Sequence, residues 1–334
     1  MTLPWPQVLF IAITFVTLPL YILILIVVCK QPELSTFYVL MVSEGVADIY
    51  AVVSYFLATA LRFTLWLDEL YWGHERFFAN YAYLSVYFST YVRSVGITLI
   101  AFQRYVIICL RGKPLGKILG GIPSFAYVAV HWTTALILTA PVCTSLNNHF
   151  DTLHKLNILN PPKLFAFGCL MATFIVGTCF IISMICYALI LVHVFNNRKR
   201  SVVNSSEGYE LRLCVQAAML LLALLMFLTY HVGQYIIGDA IHDIPLLLYY
   251  WRPYFSPITT AFASWVEPWS CLAFNREIRR NIMKLVCCRK KRLGLTVANK
   301  ISVLQAGIAY KLRRTRCRRT RAGAVADNEV HDGT

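Results

Sequence analysis

The sequence predicts an all-α membrane protein. It would be a bundle of seven transmembrane helices with the N-terminus outside, the C-terminus inside and a short amphipathic surface helix after the seventh span. Three observations predict this. Of 334 residues, 58% are hydrophobic and only 14% charged, whereas a soluble chain carries about 25% charge, so the charges are too few to clothe a water-facing surface. Apolar runs long enough to cross a ~30 Å hydrocarbon core as helix recur along the chain. The basic residues gather in every second connection and in the C-terminal tail.

Helix is the structure an open chain adopts in lipid, because each span must satisfy its own backbone hydrogen bonds. The first apolar run, Val8 to Val28, follows seven residues without Lys or Arg. It exceeds the ~7–15 residues of a signal-peptide core and reads as a transmembrane helix rather than a cleaved leader. The spans fall at roughly Val8–Cys29, Tyr38–Leu61, Tyr81–Leu110, Ile122–Cys143, Leu164–Val194, Leu213–Gly238 and Leu246–Phe274. The third and fifth are long enough to tilt or to project beyond the bilayer.

Lys and Arg number 31. With the N-terminus outside, nine lie at the cytoplasmic connections and sixteen in the tail from Arg276 to Arg321. The other six are Arg62, Arg76, Arg93, Lys155, Lys163 and Arg252. The positive-inside rule therefore favours N-out, C-in. The formal net charge is +15, but nucleic-acid binding is excluded, since no soluble domain remains to carry a basic face.

Beyond the seventh span, Ile278, Ile282 and Leu285 form one apolar stripe among basic residues. That is the pattern of a helix lying in the membrane interface, expected over 275–288. The chain thus divides into a seven-transmembrane domain over residues 1–292 and a basic cytoplasmic tail over 293–334 with no fixed structure. Most of the eleven cysteines lie within spans and act as small apolar residues. Cys143 and Cys169 lie near the outer face, so at most one extracellular disulfide is available. Cys287 and Cys288, at the end of the surface helix, are palmitoylation candidates, an unmodified cytosolic pair being the alternative. The sequon at Asn204 sits in a cytoplasmic loop and is a chance match.

Ionisable groups inside a span cost about 2.5–3.5 kcal/mol each on insertion scales, which makes each a site candidate. Arg93 lies eleven residues from Arg104, about 16 Å along the helix. Asp48 lies about 18 Å into its own span from the cytoplasmic side, and Glu267 about 12 Å. The matched depths predict a buried Asp48–Arg93 ion pair with Glu267 close by, the alternative being separate polar cavities. Glu44, one turn before Asp48, is expected to face the same interior. His131, His193 and His231 form no ligand pattern, and no HExxH motif, phosphate loop or GxSxG elbow is present, so neither a metal nor an enzyme active site is expected. Tyr83, Tyr87 and Tyr91 recur every four residues on one face of the third span. Tyr230, His231, Gln234 and Tyr235 lie in the outer part of the sixth, and Tyr249, Tyr250, Trp251 and Phe255 open the seventh. An interfacial aromatic belt explains some of these. The tyrosine stripe of a central helix is better placed to line a cavity.

In order and at these depths, several motifs resemble those of rhodopsin-like G-protein-coupled receptors. Gln103-Arg104-Tyr105 resembles their Asp-Arg-Tyr triplet at the end of the third span. Ser43-Glu44-Gly45-Val46-Ala47-Asp48 resembles the second-span Asn-Leu-Ala-x-Ala-Asp. Trp132 and Pro141 stand where the fourth span carries its Trp and Pro. Glu267-Pro268-Trp269-Ser270-Cys271 resembles Asn-Pro-x-x-Tyr with three departures, and Asn275-Arg276-Glu277-Ile278-Arg279 looks like the start of the surface helix. Within that superfamily the style is similar to nematode serpentine chemoreceptors of the gamma and V classes, on Pro19-Leu20-Tyr21, SEGVADIY and AFQRYVIIC. No Cys tops the third span, the fifth lacks its proline and the sixth lacks Trp-x-Pro.

The resemblance implies a multi-pass plasma-membrane receptor, by family placed in sensory cilia, that is not an enzyme and needs no cofactor. A small external molecule would bind among Tyr83, Tyr87, Tyr91, Tyr230, His231 and Gln234. A heterotrimeric G protein would engage Gln103, Arg104 and Tyr105 and the loops beside them. A seven-helix transporter, which usually shows repeats and broken helices, and a ligand-gated channel with reversed topology are the alternatives. Arg93 stands where the superfamily places a serine that helps hold sodium beside the second-span Asp. A fixed guanidinium in that place predicts that sodium leaves ligand affinity unchanged in the purified receptor; sodium-sensitive affinity would contradict it.

Overall fold

The computed structural model describes residues 4–30, 35–64, 66–144, 147–153, 156–198, 207–274 and 278–283. Cys287, Cys288, Asn204 and the tail beyond residue 283 lie outside that set. The chain divides into a bundle, Met1–Ile278, and a second unit, Arg279–Thr334, of which residues 279–283 are described and helical.

Seven helical spans make the bundle. The first is Trp5–Cys29, opened by Pro4 and Pro6 at positions where a missing N–H costs nothing. The second, Thr36–Phe63, contains a π-helical turn at Phe56–Ala60. The third, Glu75–Cys109, is 35 residues long, about 52 Å. The fourth is Ser124–Cys143, its last turn 3₁₀ from Ala140 through Pro141. The fifth is Pro162–Arg198. The sixth is Glu207–Tyr235, extended by a π turn at Ile236–Ala240. The seventh, Arg252–Phe274, follows a short helix at Ile244–Leu246 and a π turn at Leu247–Trp251. Six of these are long and apolar enough to cross a membrane by length and composition alone. The seventh is the polar one, with Arg252, Ser256, Thr259, Ser264 and Glu267 along it and prolines at 257 and 268.

Calling the end where the chain starts the upper end, the connections there hold a small helix, Asp68–Gly73, and one hairpin, His149–Phe150 paired antiparallel with Ile158–Leu159. At the opposite end a helix at Pro114–Gly120 joins the third and fourth spans. The third span is central, packed on the second, fourth, fifth and sixth. The first packs on the second and seventh. Large apolar side chains such as Phe15, Phe125, Ile137 and Phe174 are exposed on the outside, the surface a lipid-facing bundle needs. Several hydroxyls on the spans donate to carbonyls on their own helix, as Thr139 does to Ala135 at 2.7 Å and Thr229 to Leu225 at 2.9 Å, which satisfies those donors in lipid.

Close approach of the second and third spans depends on Gly96. A Cβ there would overlap the Glu44 carboxylate and come within 2.7 Å of His131 Nε2. Both neighbours are buried, so the crowding must be relieved within the core. Gly96→Ala is expected to cost about 1–3 kcal/mol by overpacking, read as a lowered thermal midpoint in detergent. Gly73→Ala, whose Cβ would meet nothing within 4 Å, should leave the midpoint unchanged; equal midpoints for the two variants would refute the packing argument.

Candidate functional site

At mid-bundle, Arg93 Nε lies 2.7 Å from Asp48 Oδ1, with both side chains almost wholly buried. The guanidinium also donates to Ser264 Oγ at 2.9 Å and to the Thr260 carbonyl at 3.4 Å, and it lies over the Phe227 ring at 5.0 Å. Spans 2, 3, 6 and 7 therefore meet at one cation. Glu267 joins this network through Tyr21 of the first span, whose hydroxyl is 2.8 Å from Glu267 Oε2 and 2.9 Å from Asp48 Oδ2. One hydroxyl proton serves one of these contacts. The other needs a proton on a carboxyl. Among the described residues no ion pair links Glu267 to Arg93 directly.

A second polar chain lies beside it. Trp132 Nε1 donates to Ser43 Oγ at 3.0 Å, and Ser43 lies 2.8 Å from His131 Nδ1. His131 Nε2 is 2.7 Å from the Val92 carbonyl, which can only accept. Nε2 therefore carries the proton, and in the neutral ring Nδ1 accepts from Ser43. Glu44 Oε2 lies 3.4 Å from the same Nε2. Spans 2, 3 and 4 are joined here.

Toward the upper end, Tyr83 and Tyr87 stack edge-on with ring centroids 4.9 Å apart. Tyr83 donates to the Leu164 carbonyl at 3.1 Å, and Tyr87 contacts Cys169 Sγ at 3.7 Å. Gln234 donates to Tyr230 at 2.8 Å. A cavity of about 80 Å³ opens between spans 2, 3, 6 and 7 and the hairpin, room for roughly half a dozen waters. Tyr83, Tyr87, Tyr230 and Gln234 line it. Tyr91 and His231 do not; both are fully buried, with the His231 ring packed against Tyr87 and Tyr230. A smaller cavity of about 20 Å³ shares Thr59, Val86, Tyr230 and Ser256 with the first and reaches Arg93. The two cavities thus share walls between the hairpin and the ionic core. Tyr249 and Tyr250 face outward, exposed, while Trp251 stacks on Phe255 at 4.6 Å.

Among the cavity residues that the sequence does not single out are Arg62, Arg252, Asn157 and Asn160. Arg62 and Arg252 entered only as members of the non-cytoplasmic charge count. Their positions at span ends, with no carboxylate one turn away, were the available signal. The asparagines belong to a hairpin that no periodicity announces. That hairpin is held by Glu75, which accepts from Phe150 N at 2.8 Å, and by Asn80, which accepts from the Asn148 side chain at 2.9 Å. Beside it, burial raises the Tyr71 phenol above its ordinary value, with the Arg62 charge pulling the other way. The available disulfide does not form: Cys143 and Cys169 are both free. Cys169 instead contacts Tyr87 and Gln234, and Cys143 Sγ donates to the Thr139 carbonyl.

At the lower end, Gln103 and Arg104 are buried, and Tyr105 is half-buried against Tyr187 and Ile190. Arg104 donates to Gln216 Oε1 of the sixth span at 2.9 Å and lies over the Phe37 ring at 4.7 Å. Gln216 was not anticipated; a neutral partner on the sixth span takes the role that an adjacent carboxylate cannot fill here. Among the described residues no group of three or more His, Cys, Asp or Glu could hold a metal ion.

A central helix carrying an ionic core, beneath a cavity and above a buried arginine, is the layout of a seven-helix receptor. Residues 10–288 match the family model described as serpentine type 7TM GPCR chemoreceptor Srv, and the chain belongs to that family. No curated protein matches it. It is a multi-pass plasma-membrane chemoreceptor, a class distinct from enzymes.

Removing one partner of a buried pair strands the other charge, at about 3–5 kcal/mol, whereas replacing both with apolar residues is often neutral. Arg93→Met and Asp48→Asn should each lower the thermal midpoint strongly, and Asp48→Leu combined with Arg93→Met should recover part of the loss. Strictly additive effects in this double-mutant cycle would show that the two groups are not coupled.

Proposed function

We propose that this chain is an N-out, G-protein-coupled chemosensory receptor. It binds an external small molecule in the upper cavity and activates a heterotrimeric G protein at the lower end. The observation that supports it most is the third span. One rigid helix carries Tyr83 and Tyr87 on the cavity wall, Arg93 in the core and Arg104 at the opposite end. Tyr91 and His231 would act from beneath the cavity, by holding Tyr87 and Tyr230 in place. Gln103, Arg104 and Tyr105 would meet the G protein once the lower ends of spans 3 and 6 part, and the Arg104–Gln216 bond resists that parting. The ligand must favour the parted arrangement, or it would signal nothing. Residues 1–292 form the receptor unit and 293–334 a cytoplasmic tail, with Cys287 and Cys288 as acylation sites beside the bilayer. Transport calls for helices broken at midspan, and the π turns here stand at the upper ends.

Agonist-dependent nucleotide exchange on a co-expressed G protein tests the reading; ligand uptake without exchange would favour a transporter. Losing a bond worth about 1.5 kcal/mol in the resting state shifts the closed-to-open ratio roughly tenfold. Gln216→Ala should therefore raise ligand-independent exchange by up to that factor. Arg104→Ala should abolish stimulated exchange at unchanged surface expression. Basal exchange in Gln216→Ala no higher than in the parent would remove the bond from the switch.

A further inference from the structure

The upper cavity is positively charged: Arg62 and Arg252 both line it, and among the described residues no Asp or Glu does. Each arginine follows a π turn, Phe56–Ala60 before Arg62 and Leu247–Trp251 before Arg252. A π turn adds one residue to a helical turn, which rotates everything after it by about 100°. Two spans thus carry the same device immediately ahead of the residue that faces the same space.

Arg62 is only 5% exposed. Its neighbours are the rings of Phe63 at 5.1 Å and Phe150 at 5.7 Å, and its Nε and Nη1 have no hydrogen-bond partner among the described residues. Arg252 donates to the Ile158 carbonyl at 3.2 Å and to Asn160 Oδ1 at 3.1 Å, and lies over the Phe165 ring at 4.8 Å. All of these partners are neutral. Asp151 is near enough for its field to reach Arg62. Its oxygens, however, are taken by the backbone N–H groups of Thr152 and Asn157 and by the Asn157 side chain, at 2.7–3.0 Å. Buried charges are ordinarily paired, because leaving one unpaired costs several kcal/mol. Planar guanidinium forks bind oxyanions two bonds at a time.

We propose that the ligand of this cavity is a small organic anion, whose carboxylate or equivalent oxyanion head is held by Arg62 and Arg252 while its apolar part lies toward Tyr87 and Tyr230. This rests on the reading of the cavity as the ligand site. Its size restricts the ligand, in this conformation, to a short chain or a single ring.

The test uses the full-length receptor in a non-ionic detergent free of phospholipid, at constant ionic strength. Thermal midpoints are measured against straight-chain carboxylates from acetate to octanoate, benzoate, and the primary amide of each. At least one carboxylate should raise the midpoint saturably while its amide does not. Arg62→Gln and Arg252→Gln should each weaken its half-saturating concentration tenfold or more, and Arg62→Lys should weaken it less than Arg62→Gln. If Arg62→Gln does not fold, the acid–amide comparison on the parent and the Arg252→Gln variant decide. Amides as effective as acids, no response to any acid, or undiminished affinity in the glutamine variants would overturn the proposal. So would stabilisation by added phosphatidylserine alone, which would mark a lipid site. The assay is independent of coupling. An acid that binds through both arginines without driving nucleotide exchange upholds the anion site and counts against the receptor reading. A neutral agonist that drives exchange equally well in both glutamine variants does the reverse.

Discussion

The structure depends on a cation with nowhere else to go. A guanidinium in the middle of an apolar bundle must be matched by neighbours or expelled, and Arg93 is matched by residues from three other spans: Asp48, Thr260 with Ser264, and the face of Phe227. The seventh span is less apolar than the rest because it supplies part of that match. Tyr21 extends the same constraint to the first span. The relative heights of five helices are therefore tied to a single side chain. Ligand-driven motion in such a bundle would pivot about this level rather than slide through it.

Much of the fold was legible because lipid leaves a chain few choices. Hydrophobic length located the spans, with starts up to six residues from the observed ones at the third, sixth and seventh, and the depth arithmetic put Arg93 and Asp48 at one level. The ends of the helices were less legible for a physical reason. A π turn has no compositional signature, and FLATA or LLYYW is as apolar as an α-helical stretch would be. The hairpin at 149–159 escaped notice because two-residue strands carry too little alternation to detect. Arg62 and Arg252 were visible as charges, but their common cavity depends on those π turns, so their partnership was not. Gln216 was hidden similarly: a single amide near the start of an apolar helix gains meaning only when Arg104 is seen to reach it.

The site proposals stand on unequal ground. Tyr83, Tyr87, Tyr230 and Gln234 share a cavity wall, whereas Tyr91 and His231 are enclosed by other rings. A periodic aromatic stripe identifies a helix face but not where along it the space begins. Here the upper cavity reaches down to Tyr87, and the smaller cavity beside Arg93 shares Thr59 and Ser256 with it.

The π turns also bear on how such a receptor diversifies. Each holds one residue more than an α-turn needs, placed between the level of Arg93 and the upper end of its helix. Losing or gaining a residue there re-aims everything above while the register below stays fixed. Single-codon insertions and deletions, ordinarily ruinous inside a membrane helix, become a route by which descendants of this chain can exchange the side chains facing their cavity. Aligning such relatives without gaps at 56–60, 236–240 and 247–251 would pair residues that point in different directions.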